Sequence, residues 1–454
     1  MSESRVDPAP AAASPVASEP VVPATFTEPA SPARPAEDNP LARLSELSSD
    51  TLVAEVLARN PSLAQMVAAW KAASARYPQV TSLDDPMFGA VVAPASIGSN
   101  DVDFGYRVEV SQKFPLFGKR GLRGENALAE ASAAGNDVGA MRLEIVEAAK
   151  HAFAEYYLVG RALEVNEEGL RLLGDFRANA RERYEKVQGA NEQDILQADV
   201  ELGRQRQRQI TLERMRRVAV ARINTLLHLP PDCALPPPPK ELHADGVTPG
   251  GAELRALALA RRPDLKALAD HVRAEEANRG LADREYYPDV EVSGAYDTVM
   301  GNGPTRDLAP QIGVRLNVPL RFERRAGAVA EAEAKVAGRR AELARQTDQV
   351  SFQVQEAYEQ VVESDKVVAL FEEKILPAAR ANVKAAQSSY VGGRVPFLSL
   401  LESERNLVDL RDRYYEAVAE AFRRRATLER VTGGSEGGTP GSPDCTSCPR
   451  PARP

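Results

Sequence analysis

Val350-Ser351-Phe352-Gln353-Val354-Gln355-Glu356-Ala357-Tyr358-Glu359-Gln360-Val361 opens the stretch that decides how this chain is built. Val354, Val361, Val368 and Ile375 recur at every seventh position, and Val350, Ala357, Ser364 and Phe371 form a second row three or four positions away. Two rows at that spacing make one apolar stripe along one helix. The pattern lies between Pro319 and Tyr390, where the only internal proline is Pro377. A helix filling most of that stretch would be roughly 100 Å long, several times the width of a globular domain. A compact enzyme has no room for it.

The same object occurs earlier. Between Pro115 and Tyr184 there is no proline, and the stripe returns as Ala149, Tyr156, Leu163 and Leu170, flanked by Ala152, Val159 and Leu173. Landmarks around the two stretches correspond in order. Ala58-Arg59-Asn60-Pro61 answers to Ala260-Arg261-Arg262-Pro263, and Tyr77-Pro78-Gln79-Val80 to Tyr287-Pro288-Asp289-Val290. Phe114-Pro115-Leu116 answers to Val318-Pro319-Leu320, and Tyr184 to Tyr390. One separation of about 200 residues, repeated at ordered landmarks, is the mark of an internal duplication.

Composition narrows the function. Of 454 residues, 27% are charged and only 6% aromatic, which favours long helices over a thick core. A net charge of −8, with no basic patch interleaved with aromatics, excludes a nucleic-acid partner; the arginines from Arg204 to Arg217 read as a solvated helix face. Cys445 and Cys448 form a lone CxxC in a Gly/Pro/Ser tail, an incidental pair rather than a framework. His151, His228, His243 and His271 match no metal-ligand spacing, so no metal or other cofactor is expected. No apolar run is long enough for a transmembrane helix.

Taken in order, residues 1–40 are rich in Pro, Ala, Ser and Glu and are expected to be disordered. A first repeat spans 41–229, a proline-rich linker 230–250, a second repeat 251–432 and a flexible tail 433–454. Asp50 is expected to cap a helix that runs to Arg59, and Pro61 to open another that ends before Tyr77-Pro78. A β-hairpin follows at about 79–115, and its counterpart at about 289–319. Each hairpin leads into a long helix, which reverses at 188–191 in the first copy and 392–396 in the second and returns antiparallel. Pro377 is expected to kink its helix.

Val102, Phe104, Tyr106, Val108 and Val110 alternate with Asp103, Gly105, Arg107 and Glu109, and Ile312, Val314, Leu316 and Val318 alternate likewise. Strands of about ten residues with one apolar and one polar face are the pattern of an outer-membrane barrel, lipid outside and water inside. An ordinary half-buried hairpin has the same pattern. Four strands cannot close a barrel, so membrane strands would have to be pooled, and three copies would supply twelve.

The paired Tyr-Pro-x-Val entries, the exit Phe114-Pro115-Leu116-Phe117-Gly118-Lys119-Arg120, the Leu376-Pro377 step, and Tyr390-Val391-Gly392-Gly393 followed by Leu400-Leu401-Glu402 together resemble the TolC-like outer-membrane efflux proteins. The resemblance covers roughly residues 41–432, nearly all of the chain expected to be ordered. It implies a homotrimer in which a shared 12-stranded outer-membrane β-barrel continues into a periplasmic α-barrel tunnel of long antiparallel helical hairpins. It implies a passive exit duct, not an enzyme, fed by an inner-membrane pump through a periplasmic adaptor, with lipid around the barrel. The family carries a signal peptide, and no such segment is visible here.

The resemblance also puts function at the hairpin tips, where the tunnel narrows and the adaptor docks. It places Ser399 and Glu402 near positions that often carry constricting acids, with Asp194, and after it Asp199, just past the first turn. Rings of carboxylates would draw cations into the pore. The bland alternative is helix N-terminal acids that favour the dipole. Gly189, Gly392 and Gly393 stand where the chain reverses and are expected to use conformations that glycine reaches easily. With Tyr184, Tyr390 and Arg394 they are the candidate docking contacts. The substrate is not legible; a slight leaning is toward cations. The competing reading of the whole chain is a soluble coiled-coil scaffold.

Overall fold

The computed structural model describes residues 41, 44–92, 104–186, 192–242, 249–300, 310–392 and 394–434. The N-terminal segment 1–40, the first tip with Gly189, the second-tip Gly393, and the tail bearing Cys445 and Cys448 lie outside the described residues.

The first copy opens with α1 (Ser49–Arg59), α2 (Pro61–Ser74) and α3 (Arg76–Thr81). Ser48, not Asp50, caps α1, its hydroxyl accepting from the Thr51 amide at 3.2 Å, while Asp50 sits inside the first turn, where an acid favours the dipole. Helix also carries on through Tyr77-Pro78, against expectation. Pro78 stands in the first turn of α3, where its missing N–H is not required. Arg120 then holds the end of α3 by donating to the Thr81 carbonyl. The first strand is therefore confined to β1 (Met87–Val92), shorter than the segment expected from Gln79.

β1 is followed by β2 (Phe104–Phe114), and the second copy supplies β3 (Val290–Met300) and β4 (Gln311–Leu316). They form one antiparallel sheet in the order β1-β2-β3-β4, so the two hairpins are joined through β2 and β3, with Phe114 opposite Val290. The register sorts the side chains by face. Phe88, Val110 and Ile312 share one row, Val292 and Val314 another, and all of them are exposed. On the opposite face Glu109 lies 3.5 Å from Arg107 and pairs with Arg315, which reaches Glu291 at 3.2 Å. Ser111 and Ser293 keep that face small, and a Cβ on Gly313 would stand 2.7 Å from the Ser293 hydroxyl. Across β2, β3 and β4 one face is bare and apolar and the other ionic, with β1 adding exposed Met87 and Val91 to the ionic face, a contrast that suits lipid outside and water within.

Two long hairpins hang from the sheet. The first is α4 (Lys119–Lys186) with α5 (Glu192–Leu226). The second copy begins with α6 (Gly251–Arg261) and α7 (Pro263–Arg284), then runs through α8 (Phe322–Leu370), a turn of π-helix (Phe371–Ile375), α9 (Leu376–Val391) and α10 (Phe397–Thr432). Val350, Val354, Ala357 and Val361 are buried against Leu254, Ala258, Leu265, Leu428 and Val431. Each such valine contributes roughly 1.5–3 kcal/mol on burial. In α4 the stripe is buried through Ala149, Tyr156 and Val159, then moves to Ala162 and Val165, leaving Leu163 and Leu170 half-buried. Ala162 and Val165 lie on another face of the helix, because α4 is packed by different neighbours along its length.

The single long helix expected in the second copy is thus divided. Pro377 takes the second position of α9, and the disturbance it causes appears one turn earlier as the π-turn, whose wider loop accommodates the backbone around the missing donor. The proline-rich linker is a strap rather than a free tether. Pro236 accepts from the Tyr156 hydroxyl at 2.9 Å, and Pro237 accepts from the Leu47 amide at 3.0 Å. Pro238 lies so close to α4 that a Cβ on Gly160 would meet it at 2.6 Å.

The two copies are also tied at the foot of the sheet. Lys119, the first residue of α4, is buried; its Nζ lies 2.9 Å from Asp289 and donates to the Tyr287 carbonyl at 3.0 Å. Removing one partner of a buried pair strands the other, which costs about 3–5 kcal/mol. Lys119→Met is therefore expected to lower stability by that order. Lys119→Met combined with Asp289→Asn should lose less, as read by chemical denaturation in detergent.

Candidate functional site: the hairpin tips

The second tip is described almost completely. Gly392 ends α9 and Pro396 caps α10 through its extended backbone. The Arg394 amide donates to Ser389 at 2.9 Å, closing the reversal. Gly392 has φ −74°, so its position does not call for glycine, contrary to expectation. A Cβ there would stand 3.4 Å from the Ser388 carbonyl, an ordinary contact. Arg394 is exposed.

Tyr390 is turned inward rather than presented to a partner. It joins Phe397, Leu400 and Leu401 in a buried cluster with Leu173, Phe176 and Ala198 of the first hairpin. The Phe397 ring stands edge-on to Phe176 at 6.4 Å and lies 5.6 Å from Tyr390. Tyr184, its counterpart by sequence, is about half exposed. The two tyrosines of one repeat landmark therefore do different jobs, packing in one copy and surface in the other.

The acids separate as well. Asp194 stands half-buried in the first turn of α5 and is engaged within the chain. Asp199 is held by Arg177 of α4 at 2.6 Å. Glu402 is exposed on α10, and Ser399 is half-buried, its carbonyl accepting from Ser403. Asp194 and Glu402 thus stand on different helices, and Ser399 offers no charge.

Sequence reading missed the ion pairs that link the two return helices. Glu201 of α5, buried, pairs with Arg405 of α10, and Arg208 pairs with Asp412. Both pairs are 204 residues apart in sequence, the separation of Pro115 from Pro319. Repeat-equivalent positions of opposite charge were the available signal. Beside them Asn166 of α4 is fully buried, donating to the Gln205 carbonyl at 3.3 Å. Burial holds the Asp412 carboxyl above the usual range despite Arg208. Glu404, half-buried on α10, is raised by burial alone.

At mid-height a cavity of about 780 Å³ opens beside the π-turn, lined by Tyr157, Tyr414, Tyr415, Glu372 and Arg380. Its acids are already engaged: the Tyr414 hydroxyl donates to Glu372 at 2.8 Å, and Arg425 holds Asp365 at 3.0 Å. Burial pushes the Tyr157 hydroxyl up to about 12.

Comparison with known proteins agrees with this architecture. Residues 254–434 match the family model of the outer membrane efflux proteins. Comparison by sequence with curated proteins finds no match. Among solved structures, the outer-membrane channel OprN superposes with a TM-score of 0.72 at 21% identity, covering 85% of this chain and 90% of its own. CusC, described in terms of folding and transmembrane channel formation, gives 0.75 at 17% identity over 86% and 93%. The outer membrane protein VceC from Vibrio cholerae gives 0.71 at 19% over 85% and 96%. The fold is the one these channels share, long helical hairpins below a small antiparallel sheet. By sequence the second copy resembles the outer membrane efflux proteins, and by fold both copies resemble solved outer-membrane channels.

A carboxyl whose folded pKa is raised is ionised only at a cost to the fold. The native chain should gain stability as pH falls through the folded pKa of Glu404 toward its unfolded value. Glu404→Gln is expected to be more stable than the native chain at pH 7. The difference should vanish by about pH 4, as denaturation midpoints at the two pH values would show.

Proposed function

We propose that the chain is the outer-membrane channel of a tripartite efflux pump, a passive duct that works as a homotrimer. One observation carries this reading: a duplicated chain that fills one copy of an interface and leaves its counterpart open. Within the chain, α10 of the second repeat packs on α4 of the first. By the duplication, α8 and α9 should receive α5, and here they do not. The outer side of α5 exposes Leu196, Val200, Ile210 and Val218, while α8 exposes Phe352, Val367 and Leu370. The sheet is open at β1 and at β4. Three copies joined head to tail would cover both sets of surfaces, pooling twelve strands around a lumen lined by the Glu109–Arg315 face.

In this reading the barrel sits in outer-membrane lipid and most of the chain stands in the periplasm. The tips, with Arg394 and Tyr184 exposed, meet a periplasmic adaptor that hands on substrate from an inner-membrane pump. Asp194 and Glu402 form the constriction and favour cations. A soluble scaffold would not leave Phe88, Ile312 and Val314 bare on one face of a sheet.

The test is a planar-bilayer recording on detergent-purified protein with its oligomeric mass measured alongside. Discrete currents from a trimer are expected, and a water-soluble species without currents would overturn the reading. In the same recording, Asp194→Ala with Glu402→Ala should raise resting conductance and reduce cation preference; unchanged currents would leave those acids with helix capping alone.

A further inference from the structure

The seam between β2 and β3 shows how this chain closes a strand junction at the helical end of its sheet. Where β2 leaves and β3 enters, cations from the exit meet an acid at the entry. Lys113 lies 3.7 Å and Lys119 2.9 Å from Asp289, and the Phe117 ring rests 4.8 Å from Tyr287. This junction joins the first copy to the second, so the duplication calls for a counterpart between the second copy of one chain and the first copy of another.

Opposite charges stand at the two open edges, though not at the positions equivalent to Lys119 and Asp289. The approach to β1 carries Asp84 and Asp85, close ahead of the strand as Asp289 is close ahead of β3, although the repeat landmark of Asp289 itself is Gln79 in α3. The exit from β4 carries Arg321 and Arg324 at the start of α8, on either side of Glu323, the residue the repeat sets against Lys119. All four are exposed, and among the described residues none of their side chains has a hydrogen bond or ion pair. Among the described residues β1 and β4 are the two edges of the sheet, with no strand paired along their outer sides.

We propose that Asp84 and Asp85 of one copy pair with Arg321 and Arg324 of the next, forming an ionic latch that joins β4 to β1 between chains. The latch rests on the reading of the chain as a self-associating channel, and it adds the residues that set the contact. Its occupant is a second copy of this chain, chosen by charge complementarity and by the internal seam that already has this form. The contact is heterologous, one edge against the other, and repetition closes a ring where three equal rotations complete a turn. Register is what the latch contributes. A one-residue slip of β4 against β1 would turn the ionic face toward lipid, and charges placed at one end of the strands oppose the slip.

The experiment uses the full chain in detergent with Cys233, Cys445 and Cys448 replaced by serine. Asp85→Cys combined with Arg321→Cys is oxidised and run without reductant, and the native oligomeric mass is measured in parallel. Dimer and trimer bands that reductant removes, absent from either single cysteine variant, are the expected result. Asp84→Arg with Asp85→Arg should lose oligomer, and adding Arg321→Asp with Arg324→Asp should restore it, which separates a lost latch from failed folding. An oligomeric native protein whose cysteine pair gives no cross-link, and whose charge-reversed variant assembles normally, would overturn the latch and leave the channel reading standing. A monomeric native protein would overturn both.

Discussion

Everything in this structure depends on α4 being wrapped on several sides at once. α1, α2 and α3 pack on it from the first copy, α5 returns along it, and α7 and α10 reach it from the second copy. Its alanines make this possible: Ala149, Ala152 and Ala154 are buried, so neighbouring helices approach closely, while Phe153, Tyr156 and Tyr157 fill the gaps between them. Charged residues finish the α4–α10 contact, with Lys150 on Glu429 and Glu147 on Arg430. The two repeats form one unit because a helix of the first has become part of the core of the second.

That arrangement has a consequence at each end. At the sheet, the β2–β3 pairing and the buried Lys119 bring the two hairpins into one surface whose faces differ in chemistry. At the tips, Phe397 and Tyr390 reach into a cluster shared with Leu173 and Phe176, so the second tip rests on the first hairpin. Between them the strap from Pro236 to Pro238 binds the middle of α4. The two repeats are thus held together at top, middle and bottom.

Most of the fold was legible because long helices and alternating strands write periodicity into the chain. The breaks at Tyr184 and Tyr390, the hairpins and the duplication could all be found by spacing. The errors fell where local rules compete. Tyr77-Pro78 reads as a break by itself, yet a proline in a first helical turn is compatible with helix, and Arg120 anchors that turn from a distance. Asp50 and Ser48 both suit a cap, and only geometry chooses between them. Gly392 reads as a left-handed turn residue and is not one.

The sequence by itself determined the elements, their duplication, and the two chemistries of the strands, because each of these is a repeating pattern of side chains along one chain. Tertiary structure alone decided which copies of an element meet. It joined β2 to β3 and seated α10 on α4. It buried Tyr390 while leaving Tyr184 exposed, and it set Glu201 against Arg405 and Arg208 against Asp412. The reason is physical: periodicity reports that a face will be covered, but the identity of the cover depends on contacts between residues about 200 positions apart, which no local pattern encodes.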